Sequence, residues 1–130
     1  MKYGNGREIR EKHKKLGRLL AKMRKGIVLV EGKRDKNAFE KLGIKAVAVS
    51  GRIRSACESL DGEKRDVIIA TDLDRRGNEM ARELTGELER YSIRADNESR
   101  VLLARILKMK YFEDVKRRYD EFMEEFEKIR

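Results

Sequence analysis

The sequence predicts an α/β domain with a small parallel β-sheet between helices. Three short apolar segments, rich in Val, Ile and Ala, alternate through the middle of the chain with segments of helical periodicity, and this alternation is typical of parallel β-α-β units. Each apolar segment is unbroken, as in strands that are covered on both faces. At 130 residues the chain is long enough for one such domain. We expect a basic helix in 1–25, an α/β core in 26–96 and C-terminal helices of the same domain in 97–130.

The first predicted element is an amphipathic helix over residues 7–25, which Gly26 ends. Its apolar stripe at helical spacing consists of Ile9, Leu16, Leu20 and Met23. His13 falls on the same stripe, and a packed side chain is a better interpretation of its position than a catalytic residue.

Strands and helices then alternate through the middle of the chain, which ends in two helices. The predicted strands are 27–30, 46–49 and 67–70, with a brief fourth strand at 93–95. The predicted helices are 35–42, 53–60, 76–91, 98–109 and 112–129. Aromatic and aliphatic residues recur at helical intervals along the last helix, which favours packing against the core over the alternative, a dimer interface.

The positive charge is concentrated at the start of the chain. The net charge is +9, and residues 1–25 hold ten Lys or Arg against Glu8 and Glu11. Such a block attracts polyanions, so we expect nucleic acid as a partner. The residues predicted to bind it are Lys14, Lys15, Arg18 and Lys22. A solvated helix face is the alternative, and a membrane surface is disfavoured because Tyr3 is the segment's only aromatic anchor.

The composition bears on where the protein is located and on which cysteine-based sites it can form. No segment approaches the length of a membrane-spanning helix and no signal-peptide pattern is present, so we expect a cytoplasmic protein. The lone cysteine, Cys57, excludes an internal disulfide and a multi-cysteine zinc site. The chain lacks Gln and Pro and is rich in Lys, Arg and Glu, which resembles the composition of thermophile proteins.

Three acidic residues follow two of the predicted strands. Glu31 comes directly after the first strand, and Asp72 and Asp74 follow the third. Ligands of parallel sheets bind beyond the carboxyl ends of strands, and adjacent strands lie about 4.8 Å apart, so we expect the three carboxylates to meet if these strands are neighbours. Their mutual repulsion would be relieved by a divalent cation, and oxygen ligands favour Mg²⁺ or Mn²⁺.

Glycines and cations accompany these acids. Gly32 permits a sharp exit after Glu31, and Gly77 permits a close approach at a helix start, where backbone N–H groups attract phosphate. The cations expected in loops at the same edge are Lys33, Arg34, Arg52, Arg54, Arg75 and Arg76. Cations beside an acidic metal site suit phosphate chemistry.

The two motifs together resemble those of the TOPRIM domain of topoisomerases and primases. The matching segments are IVLVEGKRD at 27–35 and VIIATDLDRRG at 67–77, and the resemblance covers about residues 26–96. It extends to the small stand-alone TOPRIM proteins of archaea and some bacteria, which are similar to the ribonuclease that matures 5S ribosomal RNA.

The resemblance implies a Rossmann-like fold with a four-stranded parallel sheet. It also implies a general acid or base at Glu31, which binds metal in some members, and Mg²⁺ ligands at Asp72 and Asp74. Capping of the helix that follows is the alternative interpretation of Asp74. The chain departs from type IA topoisomerases, which usually carry acidic residues where it has Arg76 and Asn78. Asp35 lies at a predicted helix start, where capping is at least as good an interpretation as chemistry.

A Mg²⁺-dependent nuclease acting on RNA or DNA is the function the sequence favours. The alternative is a non-catalytic, metal-dependent nucleic-acid-binding module of a larger complex, and a homodimer is a further expected assembly. Topoisomerase and primase activities are disfavoured because strand passage and priming need domains for which this chain has no room. A phosphoacceptor of the receiver-domain type ranks below these, because paired acids are absent after the first strand.

Overall fold

Helices cover both faces of a three-stranded parallel sheet in the computed structural model, which describes all residues from 1 to 130. The strands are Ile27–Val30 (β1), Ala46–Ala48 (β2) and Val67–Ile69 (β3). The helices are Gly6–Lys25 (α1), Lys33–Glu40 (α2), Ile53–Glu58 (α3), Arg75–Glu89 (α4), Glu98–Leu107 (α5) and Val115–Ile129 (α6). A 3₁₀ turn, Phe112–Asp114, precedes α6. The predicted fold class is therefore confirmed.

The strand order is β2-β1-β3, with every pair parallel. Leu29 of β1 is paired with Val47 of β2 on one side and with Ile69 of β3 on the other. The first and third strands are thus neighbours, as the prediction of a shared acidic site requires. Their carboxyl ends lie at the same edge of the sheet.

The expected fourth strand is reduced to a single bridge between Ile68 and Asp96. The backbone of Asp96 forms both ladder hydrogen bonds, from its N–H to Val67 O and from the N–H of Ile69 to its own carbonyl. The Asp96 carboxylate then accepts hydrogen bonds from the N–H groups of Glu98 and Ser99. Because these bonds start α5 at once, the chain leaves the sheet before a longer strand can form.

Alternate residues of β1 enter two different cores. Val28 and Val30 pack in the larger cluster with α1, α2, α5 and α6, whereas Ile27 and Leu29 pack in the smaller cluster with α3 and α4. Full burial of an aliphatic side chain stabilises a fold by roughly 1.5–3 kcal/mol. Burial on both faces explains why β1 and β3 are unbroken apolar runs, whereas the edge strand β2 is covered less than expected, since its Val47 is 41% exposed.

Helices α1 and α6 complete the larger core. The four stripe residues predicted for α1 are buried, together with Leu19. The ring of Tyr3 packs edge-on against Phe122 with centroids 5.4 Å apart, and His13 stacks on Phe126 at 3.7 Å. Packing of both helices against the core is thus confirmed, and His13 is a packed side chain. None of the helices is both long enough and apolar enough to cross a membrane.

Candidate metal and nucleic-acid site

Glu31 and Asp72 meet at the carboxyl edge of the sheet. Glu31 directly follows β1, and Asp72 follows β3 after two further residues. Oε2 of Glu31 accepts a hydrogen bond of 2.8 Å from the backbone N–H of Asp72. The Glu31 carbonyl also accepts the N–H of Ser50, which follows β2. The sequence prediction that the first and third strands bring these two acids together is correct.

The C-terminal part of the chain holds Asp72 in place. Oδ1 of Asp72 accepts a hydrogen bond of 2.9 Å from the backbone N–H of Phe112. The next residue, Leu73, donates its N–H to the carbonyl of Lys110 at 2.8 Å. Residues 110–112 therefore line the candidate site. No sequence pattern indicates this, because backbone groups carry no residue-type signal.

Asp72 binds protons unusually tightly. Burial raises the pKa of its carboxyl group from 3.8 to about 7, and the negative charges of Glu31 and Asp35 add to this rise. The hydrogen bond from Phe112 acts in the opposite direction. A divalent cation would replace the proton and neutralise the same crowded charge.

Asp74 caps a helix. Its Oδ1 accepts a hydrogen bond of 2.7 Å from the N–H of Gly77, in the first turn of α4. No three His, Cys, Asp or Glu side chains are arranged so as to hold one metal ion. The expected trio is thus divided into the Glu31–Asp72 pair and a capping Asp74.

The donor chemistry of these residues nevertheless fits Mg²⁺ or Mn²⁺. In Glu31, Asp72 and Asp74 one carboxylate oxygen accepts a backbone N–H. The second oxygen of each has no hydrogen-bond partner in the protein and is not buried. Such oxygens are the ligands that a hard cation prefers, and those of Glu31 and Asp72 belong to the pair that the structure joins.

Gly77 permits the close approach that its position predicted. A Cβ atom on this residue would lie 1.9 Å from the carbonyl oxygen of Asp72. The hydroxyl group of Thr71 donates a hydrogen bond of 2.7 Å to the Gly77 carbonyl. The start of α4 is thereby pressed against the loop that carries Asp72.

Asp35 has a capping role and is also part of the acidic surroundings of the site. Its Oδ2 accepts the N–H of Gly32 at 3.0 Å and so caps α2. Burial raises the pKa of Asp35, and the charges of Glu31 and Glu113 add to the rise. The capping interpretation is confirmed.

A buried arginine faces the acidic pair. Arg100 is almost fully buried, and its Nη2 donates a hydrogen bond of 2.6 Å to Oδ1 of Asn78. Burial lowers the pKa of Arg100, whereas the charges of Glu31 and Asp72 raise it. Its Nε has no partner. Arg100 was not among the predicted site residues, although a cation at helical spacing from the buried Leu103 and Ala104 was a usable signal.

The predicted edge cations lie in or directly before the first turns of helices, and not in loops. Lys33 and Arg34 begin α2, Arg52 and Arg54 flank the start of α3, and Arg75 and Arg76 begin α4. Arg34, Arg54 and Arg75 lie 3.9, 4.0 and 3.3 Å from Glu113, Glu87 and Glu79. The other three have no ion-pair partner, and we call them the free edge cations.

The basic N-terminal segment is an exposed helix face. Lys14, Lys15 and Arg18 are exposed and unpaired, and we call them the α1 basic face. Lys22 differs, because its Nζ lies 2.8 Å from Oδ2 of Asp96 and this ion pair joins α1 to the start of α5. Hydrogen bonding to Asp96 raises the pKa of Lys22.

Taken together, a parallel β2-β1-β3 sheet, an E-G pair after β1 and a D-x-D-x-x-G motif after β3 define a Toprim-type α/β domain. Residues 25–97 match the family model described as Toprim domain, and the chain belongs to this family. At family level, membership indicates metal-dependent chemistry on nucleic acid, and Toprim domains typically bind divalent metal ions.

Relatives of similar length come from thermophilic archaea, in keeping with the composition. A UPF0292 protein of Thermococcus sibiricus is 38% identical over 102 residues, which are 75% of this chain and 81% of that protein. The UPF0292 protein PH1700 of Pyrococcus horikoshii is 36% identical over 110 residues, covering 82% and 80%. A solved structure, described as a putative protein from Aquifex aeolicus, superposes with a TM-score of 0.66 at 28% identity, covering 76% of this chain and 96% of that one.

Proposed function

We propose that the protein is a Mg²⁺- or Mn²⁺-dependent nuclease that acts on the phosphodiester backbone of RNA or DNA. The observation that carries the proposal is the junction of Glu31 and Asp72 at the carboxyl edge of β1 and β3. Each of the two presents a solvent-accessible carboxylate oxygen that lacks a protein partner. Family membership supplies the chemical class to which such a pair belongs.

The acidic residues have separate roles in this proposal. Asp72 and Glu31 would hold the cation, with Asp74 supplying a third oxygen from the start of α4. When bound, the cation neutralises charge on the phosphate and promotes attack by water. Glu31 is placed to move a proton, because one of its oxygens is fixed by the N–H of Asp72 and the other is open to solvent.

The surrounding positive groups would bind the phosphodiester chain. The N-termini of α2 and α4 face the same edge, so their unpaired backbone N–H groups favour an anion there. The free edge cations Lys33, Arg52 and Arg76 add full charges without acidic partners. The α1 basic face would add affinity that does not depend on sequence.

A cleavage assay with a matched control tests the proposal. We would incubate the protein with end-labelled RNA and DNA, single-stranded and duplex, in Mg²⁺, Mn²⁺ or EDTA. Asp72→Asn should abolish metal-dependent cleavage, and Glu31→Gln should lower the rate by about 10²–10⁴-fold. Asp66→Asn is the control, because Asp66 is an exposed acid that precedes β3 at the opposite edge. Cleavage that survives in Asp72→Asn would rule out this site.

The capping role of Asp74 favours a second candidate function, because it leaves Glu31 and Asp72 as the only acids that are joined directly. In this second function, the same residues bind a phosphate through the cation and do not cleave the nucleic acid. The protein would then be a binding module of a larger complex. Calorimetric titration with Mn²⁺ and with nucleic acid, run beside the cleavage assay, distinguishes a nuclease, a binding module and a site without function. If wild type binds Mn²⁺ and nucleic acid but cuts neither RNA nor DNA, while Asp72→Asn binds Mn²⁺ at least about tenfold more weakly, the binding module is the correct interpretation.

A further inference from the structure

Tyr111 is the most exposed aromatic residue of the chain. There are four Tyr and four Phe. Tyr3, Phe39, Phe112 and Phe122 are buried, and the remaining aromatics other than Tyr111 are partly buried. Tyr111 is 42% exposed. An isolated exposed aromatic has no special meaning by itself, so its position decides what it can do.

That position is directly beside Asp72. The carbonyl of the residue before Tyr111, Lys110, accepts the N–H of Leu73 at 2.8 Å. The residue after it, Phe112, donates its N–H to Asp72 Oδ1 at 2.9 Å. The Tyr111 carbonyl itself accepts the N–H of Asp114 at 3.1 Å. Its backbone is therefore fixed on both sides, and the N–H of the next residue is hydrogen-bonded to the carboxylate proposed to hold the cation.

The packing of Phe112 turns the Tyr111 ring outwards. Phe112 is fully buried and stacks on Phe39 with centroids 5.6 Å apart and planes at 21°. Tyr111 has extended backbone angles, φ −114° and ψ 124°. Phe112 itself begins the 3₁₀ turn that follows. Because Phe112 is held in the core, the neighbouring ring is presented to solvent at the edge that carries the site.

A cation accompanies this ring. Nζ of Lys110 lies 5.9 Å from the centroid of the Tyr111 ring. Lys110 is exposed and forms no ion pair, so its charge remains available. An aromatic face next to an unpaired cation is the combination with which proteins hold unpaired nucleobases and the phosphates that link them.

We propose that Tyr111 and Lys110 form a stacking platform for one unpaired nucleobase, next to the phosphate held at Glu31 and Asp72. This inference rests on the proposed function, and it specifies the substrate as single-stranded or locally unpaired RNA or DNA. A base inside a duplex has both faces covered by its neighbours, so an exposed ring on a folded surface cannot stack on it without extruding it.

A single-tryptophan variant reports directly on stacking. The chain contains no Trp, so Tyr111→Trp introduces a unique fluorophore at the platform. Titration with a single-stranded oligonucleotide in Mg²⁺ should quench it, because a stacked nucleobase quenches indole emission. An abasic oligonucleotide with the same phosphates should quench it far less. Tyr91→Trp, after the end of α4 and so towards the opposite edge of the sheet, is the matched control and should not respond.

Affinity measurements separate the ring from the hydroxyl group. Tyr111→Ala should weaken single-strand binding by about fivefold to a hundredfold, which is the usual effect of removing one stacked aromatic. Tyr111→Phe should stay within about twofold of wild type, because it retains the ring. Thermal melts would show that all variants are folded, as expected for an exposed side chain.

The outcomes distinguish the platform from the proposed function. Equal single-strand affinity of wild type and Tyr111→Ala would overturn the platform. An equal decrease in Tyr111→Phe and Tyr111→Ala would also overturn it, since the hydroxyl group and not the ring would then be required. If these failures occur while binding or cleavage still depends on Asp72, the proposed function stands. If wild type binds no polynucleotide in Mg²⁺, both fail.

Discussion

Replacement of Asp72 by Asn removes a carboxyl group whose pKa the fold raises from 3.8 to about 7. Because the folded protein binds this proton more tightly than the unfolded chain does, the group favours folding at low pH. That contribution is complete below about pH 4, falls as the pH rises, and is fully lost above about pH 7. The metal-free wild type should therefore lose stability over this interval, and Asp72→Asn should lose less.

The magnitude follows from the shift. A rise of about three pKa units corresponds to about 4 kcal/mol, at 1.36 kcal/mol per unit. Asp72 is only partly buried, and solvent screening reduces that upper limit, so we expect a gain of about 1–2 kcal/mol for Asp72→Asn above pH 7. This amounts to about 4–8 °C in melting temperature for a chain of this length. The Asn side chain can still accept the hydrogen bond from Phe112, so only the charge changes.

Scanning calorimetry in EDTA at several values between about pH 4 and about pH 8.5 measures this effect. The difference between variant and wild type should grow with pH and then level off. Asp66→Asn, at an exposed position, should show no such trend. Addition of Mg²⁺ should stabilise wild type and leave Asp72→Asn unchanged, which reverses the order of the two proteins. A difference that is independent of pH, or a variant that is less stable at every pH, would refute the reasoning.

Two further predictions concern the close contact at Gly77 and the α1 basic face. Gly77→Ala should destabilise the fold by about 2–4 kcal/mol in urea or thermal melts, because its Cβ would overlap the Asp72 carbonyl. Gly86→Ala in the same helix is the control, because a Cβ there meets nothing within 4 Å, and it should stabilise the fold by about 0.4–1 kcal/mol. Similar effects of the two substitutions would contradict the close contact between Gly77 and the Asp72 carbonyl. The three residues of the α1 basic face can be replaced by Glu. The salt dependence of nucleic-acid binding should then flatten by up to about one unit of slope for each phosphate that these residues neutralise, and the Mn²⁺ affinity should not change. An unaltered salt slope, measured by fluorescence anisotropy, would make that face a solvated surface only.

The elements that could be predicted well are those whose residue pattern repeats. Apolar runs predicted the three strands within one residue. Burial on both faces demands apolar side chains at every position of β1 and β3, whereas β2 is an edge strand with Val47 exposed. The motif glycine at Gly77 and the adjacency of β1 and β3 also followed from pattern and topology. Helix ends were less certain: the helix predicted from residue 35 starts at Lys33, because the side chain of Asp35 reaches back to cap it.

Features that depend on which hydrogen bond one particular group forms were not predictable in this way. The fourth strand does not form because the side chain of Asp96 starts α5, which competes with continuation of the sheet. Asp74 was assigned to the metal by its spacing and by the family resemblance, with a helix cap as the alternative, and the structure shows that one of its oxygens accepts the N–H of Gly77. The contact between Phe112 and Asp72 links residues 40 positions apart through a backbone group, for which sequence offers no pattern.

The Toprim domain supplies only part of the candidate site. The family match ends at residue 97, yet Arg100 and Phe112 both act on the acidic pair from beyond that limit. The match therefore accounts for the presence of Glu31 and Asp72, whereas the hydrogen bond from Phe112, which lowers the pKa of Asp72 against the effect of burial, comes from the C-terminal segment. Tyr111 lies between Lys110 and Phe112, whose backbone groups hold Leu73 and Asp72, so the ring proposed to select an unpaired strand is adjacent to the groups that fix the metal-binding carboxylate. Changes that move the backbone of residues 110–112 should therefore alter substrate preference and metal affinity together, whereas Tyr111→Ala, which leaves these backbone hydrogen bonds in place, should alter strand preference alone.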